Sequence, residues 1–212
     1  MSVEPERLAG FLDRFLDRHG AGSVVTSPDV VTVTAADGSL AECVVPFPPL
    51  QVDGSAAYGG LVDHAQRQRR VGVVLVRRGG FAAGVFDGPR LVASKVGSRH
   101  VQGRSAAGGW SQQRFARRRE GQARVAVRAA ADTVAEVLLP RLEALDAIVA
   151  GGDRAACDEV LADPRLQPLV PLLAPARLEV PDPRQRVLEA TPGLFRAVRA
   201  RVVDVHVDRA DA

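Results

Sequence analysis

Apolar residues near the start of the chain recur every three or four positions, which is the period of an α-helix with one buried face. These apolar positions are Leu8, Phe11, Leu12, Phe15 and Leu16. They predict a helix over residues 5–18. Apolar and polar residues then alternate over 30–35 and 40–45, with Asp37-Gly38 between them, and this pattern predicts a β-hairpin. Residues 1–50 are therefore expected to form an N-terminal extension made of a helix plus a β-hairpin.

Three short apolar segments in the middle of the chain predict a second β region. The segments are 71–76, 81–86 and 91–96. The four-residue sequences that separate them, 77–80 and 87–90, contain the Gly and Pro residues that favour tight turns. Short apolar strands joined by tight turns form an antiparallel meander.

A long amphipathic helix is predicted over residues 111–139, where Pro140 would end it. Strand and helix patterns alternate in the remaining third of the chain. They predict a strand at 144–150, a helix at 154–163, a strand at 178–180, helices at 183–190 and 193–200, and a strand at 202–207. The expected fold class is α/β (α+β): a mixed β-sheet that contains an antiparallel meander and is flanked by helices. Residues 51–212 are expected to form this domain.

Composition narrows the class of protein. A chain of 212 residues with 46% hydrophobic residues is long enough to bury one sizeable core. It contains no run of about 18 apolar residues and no secretory signal pattern, so we expect a cytoplasmic protein with no membrane span. Cys43 and Cys157 are far apart and neither lies in a CxxC pair, which argues against a zinc site or a disulfide scaffold. No metal or other cofactor is expected.

Positive charge is concentrated in one part of the chain, although the net charge is only +3. No acidic residue occurs from Gly88 to Arg119, a stretch that holds seven Arg and the only Lys. Such a basic patch is typical of a surface that binds a polyanion. The candidate RNA-binding residues are Lys95, Arg99, His100, Arg104, Arg114, Arg117, Arg118, Arg124 and Arg128. A lone His is more often structural than catalytic, so we do not assign catalysis to His100.

Five arginines of the predicted long helix fall within about one third of its circumference at 100° per residue. They are Arg114, Arg117, Arg118, Arg124 and Arg128, and apolar residues occupy the opposite side. Two interpretations remain open: a solvated surface helix, or a cationic face that binds nucleic acid. The absence of Asp and Glu within the stripe favours the second, because surface helices normally mix both signs.

The sequence GGWSQQRFARRRE at 108–120 resembles the catalytic loop and following helix of the middle domain of eukaryotic and archaeal peptide-chain release factors. Those proteins carry a GGQ tripeptide and then a helix with an RFAR element. The chain is more similar still to the Vms-like release factor (VLRF) family in its stand-alone, actinobacterial form. The resemblance covers about residues 70–207. It implies a release-factor middle-domain (ribonuclease H-like) architecture and makes residues 51–212 a release-factor-like catalytic domain.

The family's functional glutamine has more than one possible counterpart in this chain. Alignment on the RFAR element places Trp110 at the third position of GGQ, after Gly108 and Gly109. Alignment on the Ser-Gln pair of the VLRF loop, with Ser111 as the serine, makes Gln112 the functional residue. Gln113 is the alternative. Trp110 either stacks on a nucleobase or packs under the helix.

The resemblance implies a ribosome-associated peptidyl-tRNA hydrolase that acts on stalled large subunits. A loop glutamine would position water, and neither metal nor cofactor would be needed. The implied partners are peptidyl-tRNA and the RNA of the large ribosomal subunit, and we expect the protein to be a monomer. Two alternatives stay open: a non-catalytic factor that binds tRNA or ribosomal RNA, and a nuclease that shortens the 3′ end of tRNA.

Overall fold

The computed structural model describes residues 1–77, 80–98 and 111–205, and for residues 111–120 it describes the backbone alone. The chain divides into two compact units. Unit 1 comprises Met1–Arg67 with Gly193–Ala212, and unit 2 comprises Gln68–Pro192. The division at residue 50 stays a prediction; the end of the chain pairs with the N-terminal sheet through Val198–Val203.

Strands and helices follow one another in the order that the hydrophobic pattern suggests, with some additions. The strands are β1 (Ser2–Val3), β2 (Ser23–Thr26), β3 (Val30–Thr34), β4 (Leu40–Val44), β5 (Arg70–Arg77), β6 (Gly80–Asp87), β7 (Arg90–Ser98), β8 (Ala147–Gly152), β9 (Leu173–Leu178) and β10 (Val198–Val203). The helices are α1 (Leu8–His19), α2 (Leu61–Gln66), α3 (Ser111–Leu138), α4 (Arg154–Leu161), α5 (Gln185–Glu189) and α6 (Pro192–Phe195). Segments of 3-10 helix occur at Pro5–Arg7, Ala57–Gly60, Leu139–Ala144 and Pro164–Leu172.

Unit 1 is built on an antiparallel sheet with the strand order β1-β10-β4-β3-β2. The predicted N-terminal helix and hairpin are confirmed as α1, β3 and β4. Leu8, Leu12 and Phe15 of α1 are buried, as their helical spacing requires. They pack in one cluster with Val31 and Val33 of β3.

The helix predicted at 193–200 is wrong over most of its length. Helix α6 ends at Phe195, and β10 begins at Val198 and pairs with β4. Val198 and Ala200 are buried while Arg199 and Arg201 are exposed, so this segment follows the two-residue period of a strand. The same residues also fit a helical pattern, and pairing with β4 decides between the two.

Unit 2 contains a mixed sheet with the strand order β7-β6-β5-β8-β9. The predicted meander is confirmed: β5, β6 and β7 pair antiparallel in sequence order. Strands β8 and β9 then continue the sheet in parallel with β5. The expected mixed sheet flanked by helices is therefore present.

Helix α3 packs on one face of this sheet and α5 on the other. Ala130, Val134 and Leu138 of α3 are buried in one cluster with residues of β5 and β6. A Cβ atom at Gly72 of β5 would lie 3.3 Å from Cδ2 of Leu138, so the helix approaches the strand closely. Leu188 of α5 is fully buried and contacts Gly84 of β6 from the opposite face.

In the last third of the chain, the predicted strand at 178–180 is displaced, whereas the helix predicted from residue 154 begins where expected. The strand predicted at 178–180 instead spans Leu173–Leu178, after a 3-10 segment that contains Pro168 and Pro171. These prolines prevent a regular helix and obscure the strand pattern next to them. Helix α4 begins after Asp153, whose carboxylate accepts a hydrogen bond from the Ala156 amide at 2.9 Å. Asp153 is therefore the N-cap of α4.

Candidate functional site

Helix α3 is anchored to the sheet by its C-terminal half. With 28 residues it is about 42 Å long, whereas the eight residues of β5 extend about 27 Å. Among residues 121–138, for which the structure describes the side chains of α3, the buried ones run from Ala126 to Leu138, beside Gly72 of β5. The N-terminal half of the helix carries the basic sequence.

The segment between β7 and α3 starts at a defined end of the sheet. Ser98, the last residue of β7, pairs with Gly80 of β6, which in turn pairs with Arg77 of β5. Among the candidate site residues, six lie outside the described residues: Arg99, His100, Arg104, Gly108, Gly109 and Trp110. Ser111 begins α3, so the backbone of Gln112 and Gln113 forms its first turn.

Arg124 and Arg128 are exposed on the side of α3 that faces away from the sheet. Ala126 and Ala130, which alternate with them along the helix, are buried. Arg124 has no ion pair with any residue that the structure describes. The helical register places Arg114, Arg117 and Arg118 in the same third of the circumference, and for these three the structure gives the backbone alone.

Lys95 differs from the other candidate RNA-binding residues, because its ammonium group pairs with the Glu136 carboxylate. This contact joins β7 to α3 within unit 2. The Glu136 carboxylate thus neutralises part of the charge of Lys95, which leaves less charge for an RNA phosphate than Arg124 has. The RNA-binding role of Lys95 stays a prediction.

Carboxylates limit the cationic face at its C-terminal end. Arg165 binds Asp132 of α3 at 2.8 Å and Asp163 at 2.7 Å. Hydrogen bonds from Arg165 lower the pKa of Asp163 to about 2, and the nearby charge of Arg128 adds to this effect. The expected stripe is therefore not free of carboxylates throughout: Arg128 lies beside Asp163, whereas Arg124 lies one turn away toward the N-terminus of the helix.

Comparison with known proteins now identifies the family. The model of the Actinobacteria/chloroflexi VLRF1 release factor family matches residues 69–201, which is more than half of the chain. The chain belongs to this release-factor family. No curated protein matches the chain at a significant level.

Two solved structures resemble the chain at low sequence identity. The archaeal translation termination factor aRF1 is 19% identical, with 89% of this chain and 55% of that chain covered and a TM-score of 0.47. An archaeal protein is 18% identical, with 77% of this chain and 51% of that chain covered and a TM-score of 0.42. The VLRF1-family chain thus spans about half the length of these structures.

The histidines and cysteines that the structure of this VLRF1-family chain describes are hydrogen-bonded or buried. His64 is bonded through Nε2 to the Pro46 carbonyl oxygen at 2.8 Å. His19 is bonded through Nδ1 to Asp37 at 2.8 Å. Cys43 and Cys157 are buried thiols, and burial raises the pKa of Cys43 to about 11. Among the described residues no group of three or more His, Cys, Asp or Glu is placed to hold a metal, and no helix is long and apolar enough to span a membrane.

Gly121 lies in the interior of α3. A Cβ atom there would have no neighbour within 4 Å, so no steric reason within the described structure requires glycine. Ala in place of Gly in a helix interior gains about 1 kcal/mol. We expect Gly121→Ala to increase protection of α3 amides in hydrogen exchange by up to about fivefold. Unchanged or reduced protection would contradict this prediction.

Proposed function

We propose that this VLRF1-family protein is a ribosome-associated peptidyl-tRNA hydrolase, which releases the nascent peptide from tRNA on stalled large ribosomal subunits. The observation that carries the proposal is the sequence from Gly108 to Arg117 at the start of α3, in a chain whose family is that of release factors. A cytoplasmic, monomeric protein that contacts peptidyl-tRNA and ribosomal RNA fits this role.

The reaction requires a positioned water molecule. Its oxygen attacks the ester carbonyl carbon, the bond from that carbon to the tRNA 3′ oxygen breaks, and the 3′ oxygen takes up a proton. Glutamine cannot ionise, so Gln112 or Gln113 would orient the water by hydrogen bonding and would not act as a base. The first turn of α3 also presents backbone N–H groups without helical partners, which suit a developing oxyanion. The tRNA 2′-hydroxyl and ribosomal RNA would supply the other groups.

Glycines before the helix fit the same role. Gly108 and Gly109 have no side chain, so their backbone can approach a narrow cavity closely. Behind them, the arginines of α3 would bind RNA phosphates, for which a guanidinium group is well shaped. The experiment that tests the function is peptide release from purified large subunits that carry peptidyl-tRNA, with released peptide and tRNA both measured.

Arg124 and Arg128 offer a matched pair for the RNA-binding part of the proposal. Arg124→Gln is expected to weaken binding to large subunits about fivefold, because it removes a charge with no carboxylate partner among the described residues. Arg128→Gln is expected to have a smaller effect, because Asp163 already offsets part of that charge. Equilibrium binding at several salt concentrations measures both. Arg90→Gln, at the β6–β7 turn, is the control.

A second candidate function is a factor that binds RNA without catalysis. The specific observation in its favour is Trp110, which stands where the release-factor motif has glutamine when the chains are aligned on the RFAR element. Tight binding to large subunits with no peptide release would support this function instead. Shortened tRNA among the products would indicate a nuclease, whereas ester hydrolysis leaves the tRNA at full length.

A further inference from the structure

A basic cleft lies in unit 2 on the face of the sheet opposite α3. It has a volume of about 320 Å³ and is lined by Arg77, Pro181, Asp182, Arg184, Arg186 and Val187. Residues 72, 74 and 76 of β5 face α3, so Arg77 belongs to the other face. Three arginines and one aspartate line the cleft, which therefore carries net positive charge.

Arg77 is held in place at the inner wall of this cleft. Its Nη1 donates a hydrogen bond to the Val180 carbonyl oxygen at 2.8 Å. Its Nε lies 3.8 Å from Oδ1 of Asp182. The side chain remains 38% exposed, so part of the guanidinium group is accessible from the cleft. A fixed guanidinium loses little conformational entropy when a ligand binds.

The chain segment after β9 forms the outer wall and is stiff. Pro181 and Pro183 each restrict the backbone φ angle. Val180 is buried, and Pro183 packs against Gly80, the first residue of β6, where the Cδ of Pro183 lies 3.4 Å from the position of an added Cβ atom. This segment therefore holds Asp182 at the rim and places Arg184 at a fixed position beside the cleft.

Arg184 and Arg186 supply the positive charge that the protein itself does not neutralise. Both are exposed. Neither has a carboxylate within ion-pair distance among the described residues. Surface arginines are normally balanced by nearby carboxylates, as Arg165 is by Asp132 and Asp163 in this unit. Two unpaired arginines beside a fixed third one are the arrangement expected of an anion-binding site.

The cleft includes Arg77, so it lies at the end of the sheet where β5 and β7 stop and β6 begins. Arg77 pairs with Gly80 and Gly80 with Ser98, so two strand spacings, about 10 Å, separate the backbones of Arg77 and Ser98. Ser98 is the residue from which the chain continues toward the glutamine pair. The cleft therefore lies at the same end of the sheet as Ser98, the last described residue before α3.

We propose that the cleft formed by Arg77, Arg184 and Arg186 binds a backbone phosphate of RNA and is a second nucleic-acid contact, separate from the arginines of α3. RNA is the ligand favoured by the family of the chain and by the position of the cleft at this end of the sheet. The choice of RNA rests on the proposed function, but the phosphate contact does not depend on whether the protein hydrolyses the ester.

The test compares two double variants that each remove two positive charges. Arg184→Gln with Arg186→Gln alters the cleft and leaves Arg77 bonded to Val180. Arg90→Gln with Arg141→Gln is the matched control, at the β6–β7 turn and in the 3-10 segment before β8, the opposite end of the sheet. Deacylated tRNA is the probe, and its dissociation constant is measured between 50 and 300 mM KCl, a range chosen because phosphate contacts weaken steeply with salt.

We expect the cleft variant to bind tRNA about tenfold more weakly at 100 mM KCl. Its plot of log affinity against log salt should be flatter by about 0.7 to 0.9, as the loss of one phosphate contact predicts. The control variant should match the wild type.

Equal losses in both variants would overturn the proposal, because net charge alone would then explain binding. An unchanged tRNA affinity in the cleft variant would also overturn the proposal. That holds even if inorganic phosphate binds in the millimolar range or polyglutamate competes better than tRNA. Peptide release is measured separately, so a protein that binds through the cleft but releases no peptide would contradict the proposed function alone.

Discussion

Replacing Gln112 and Gln113 together by Ala is expected to lower the rate of peptide release about 100-fold or more. Loss of one preorganised group that positions a reactant or binds an oxyanion commonly costs that much. The backbone of both residues lies in the first turn of α3. Single-turnover release from large subunits that carry peptidyl-tRNA is the measurement.

The fold should tolerate this change, because Ala favours a helix more than Gln does. Binding of the double variant to large subunits is expected to stay within about twofold of the wild type. Gln51→Ala removes an exposed amide in unit 1 and is the control for a nonspecific effect. Equal release by the double variant and the wild type would exclude glutamine catalysis. The single variants at Trp110, Gln112 and Gln113 would then show whether any residue of this segment acts on the ester.

The sequence was most informative where one periodicity dominated. The apolar segments of the meander have Gly-rich or Pro-containing turns between them, and β5, β6 and β7 follow them closely. The length of α3 was equally clear, because Pro140 ends the helical pattern and the helix gives way to a 3-10 turn at Leu139. Local signals agree with the tertiary fold in these regions, so little information from the rest of the chain is needed.

Elements that depend on distant partners were missed. Strand β2 has exposed Val24 and Val25 and exists through pairing with β3. Helix α2 has only six residues, too few for a clear periodicity, although Leu61 is fully buried. The return of β10 to β4 joins residues more than 150 positions apart, which no local pattern indicates.

The candidate site was predictable in its chemistry but not in its electrostatic surroundings. The sequence indicated which arginines share one face of α3, and Arg124 and Arg128 are exposed. It did not indicate that Glu136 pairs with Lys95, or that Asp163 lies near Arg128, because these contacts join elements far apart in the chain. The cleft around Arg77 was also missed. Its sequence signal was present in the basic turn after β5 and in Arg184 and Arg186, but hairpin turns are commonly basic.

Gly152→Ala is expected to cost about 3 kcal/mol of the free energy of unfolding of unit 2. Gly152 ends β8 with φ of +99°, a conformation that residues with a side chain rarely adopt. A Cβ atom there would lie 2.3 Å from the Val76 carbonyl oxygen. That oxygen accepts a hydrogen bond from the Asp153 amide at 2.8 Å, so relief of the clash would disturb the start of α4 and the end of β5 together. Urea denaturation followed by far-UV circular dichroism measures the loss, and hydrogen exchange of β5 and β8 amides locates it.

Gly121→Ala is the matched control, because it adds the same methyl group in open space. It should leave unit 2 as stable as the wild type or slightly more so. A loss below about 1 kcal/mol for Gly152→Ala would show that the turn after β8 rearranges at little cost.

A larger loss of unfolding free energy should be accompanied by weaker tRNA binding, because Arg77 of the cleft follows Val76 directly. At temperatures where unit 2 of Gly152→Ala remains folded, its tRNA affinity should fall toward that of the Arg184→Gln, Arg186→Gln variant, since the same strand end positions the inner wall of the cleft.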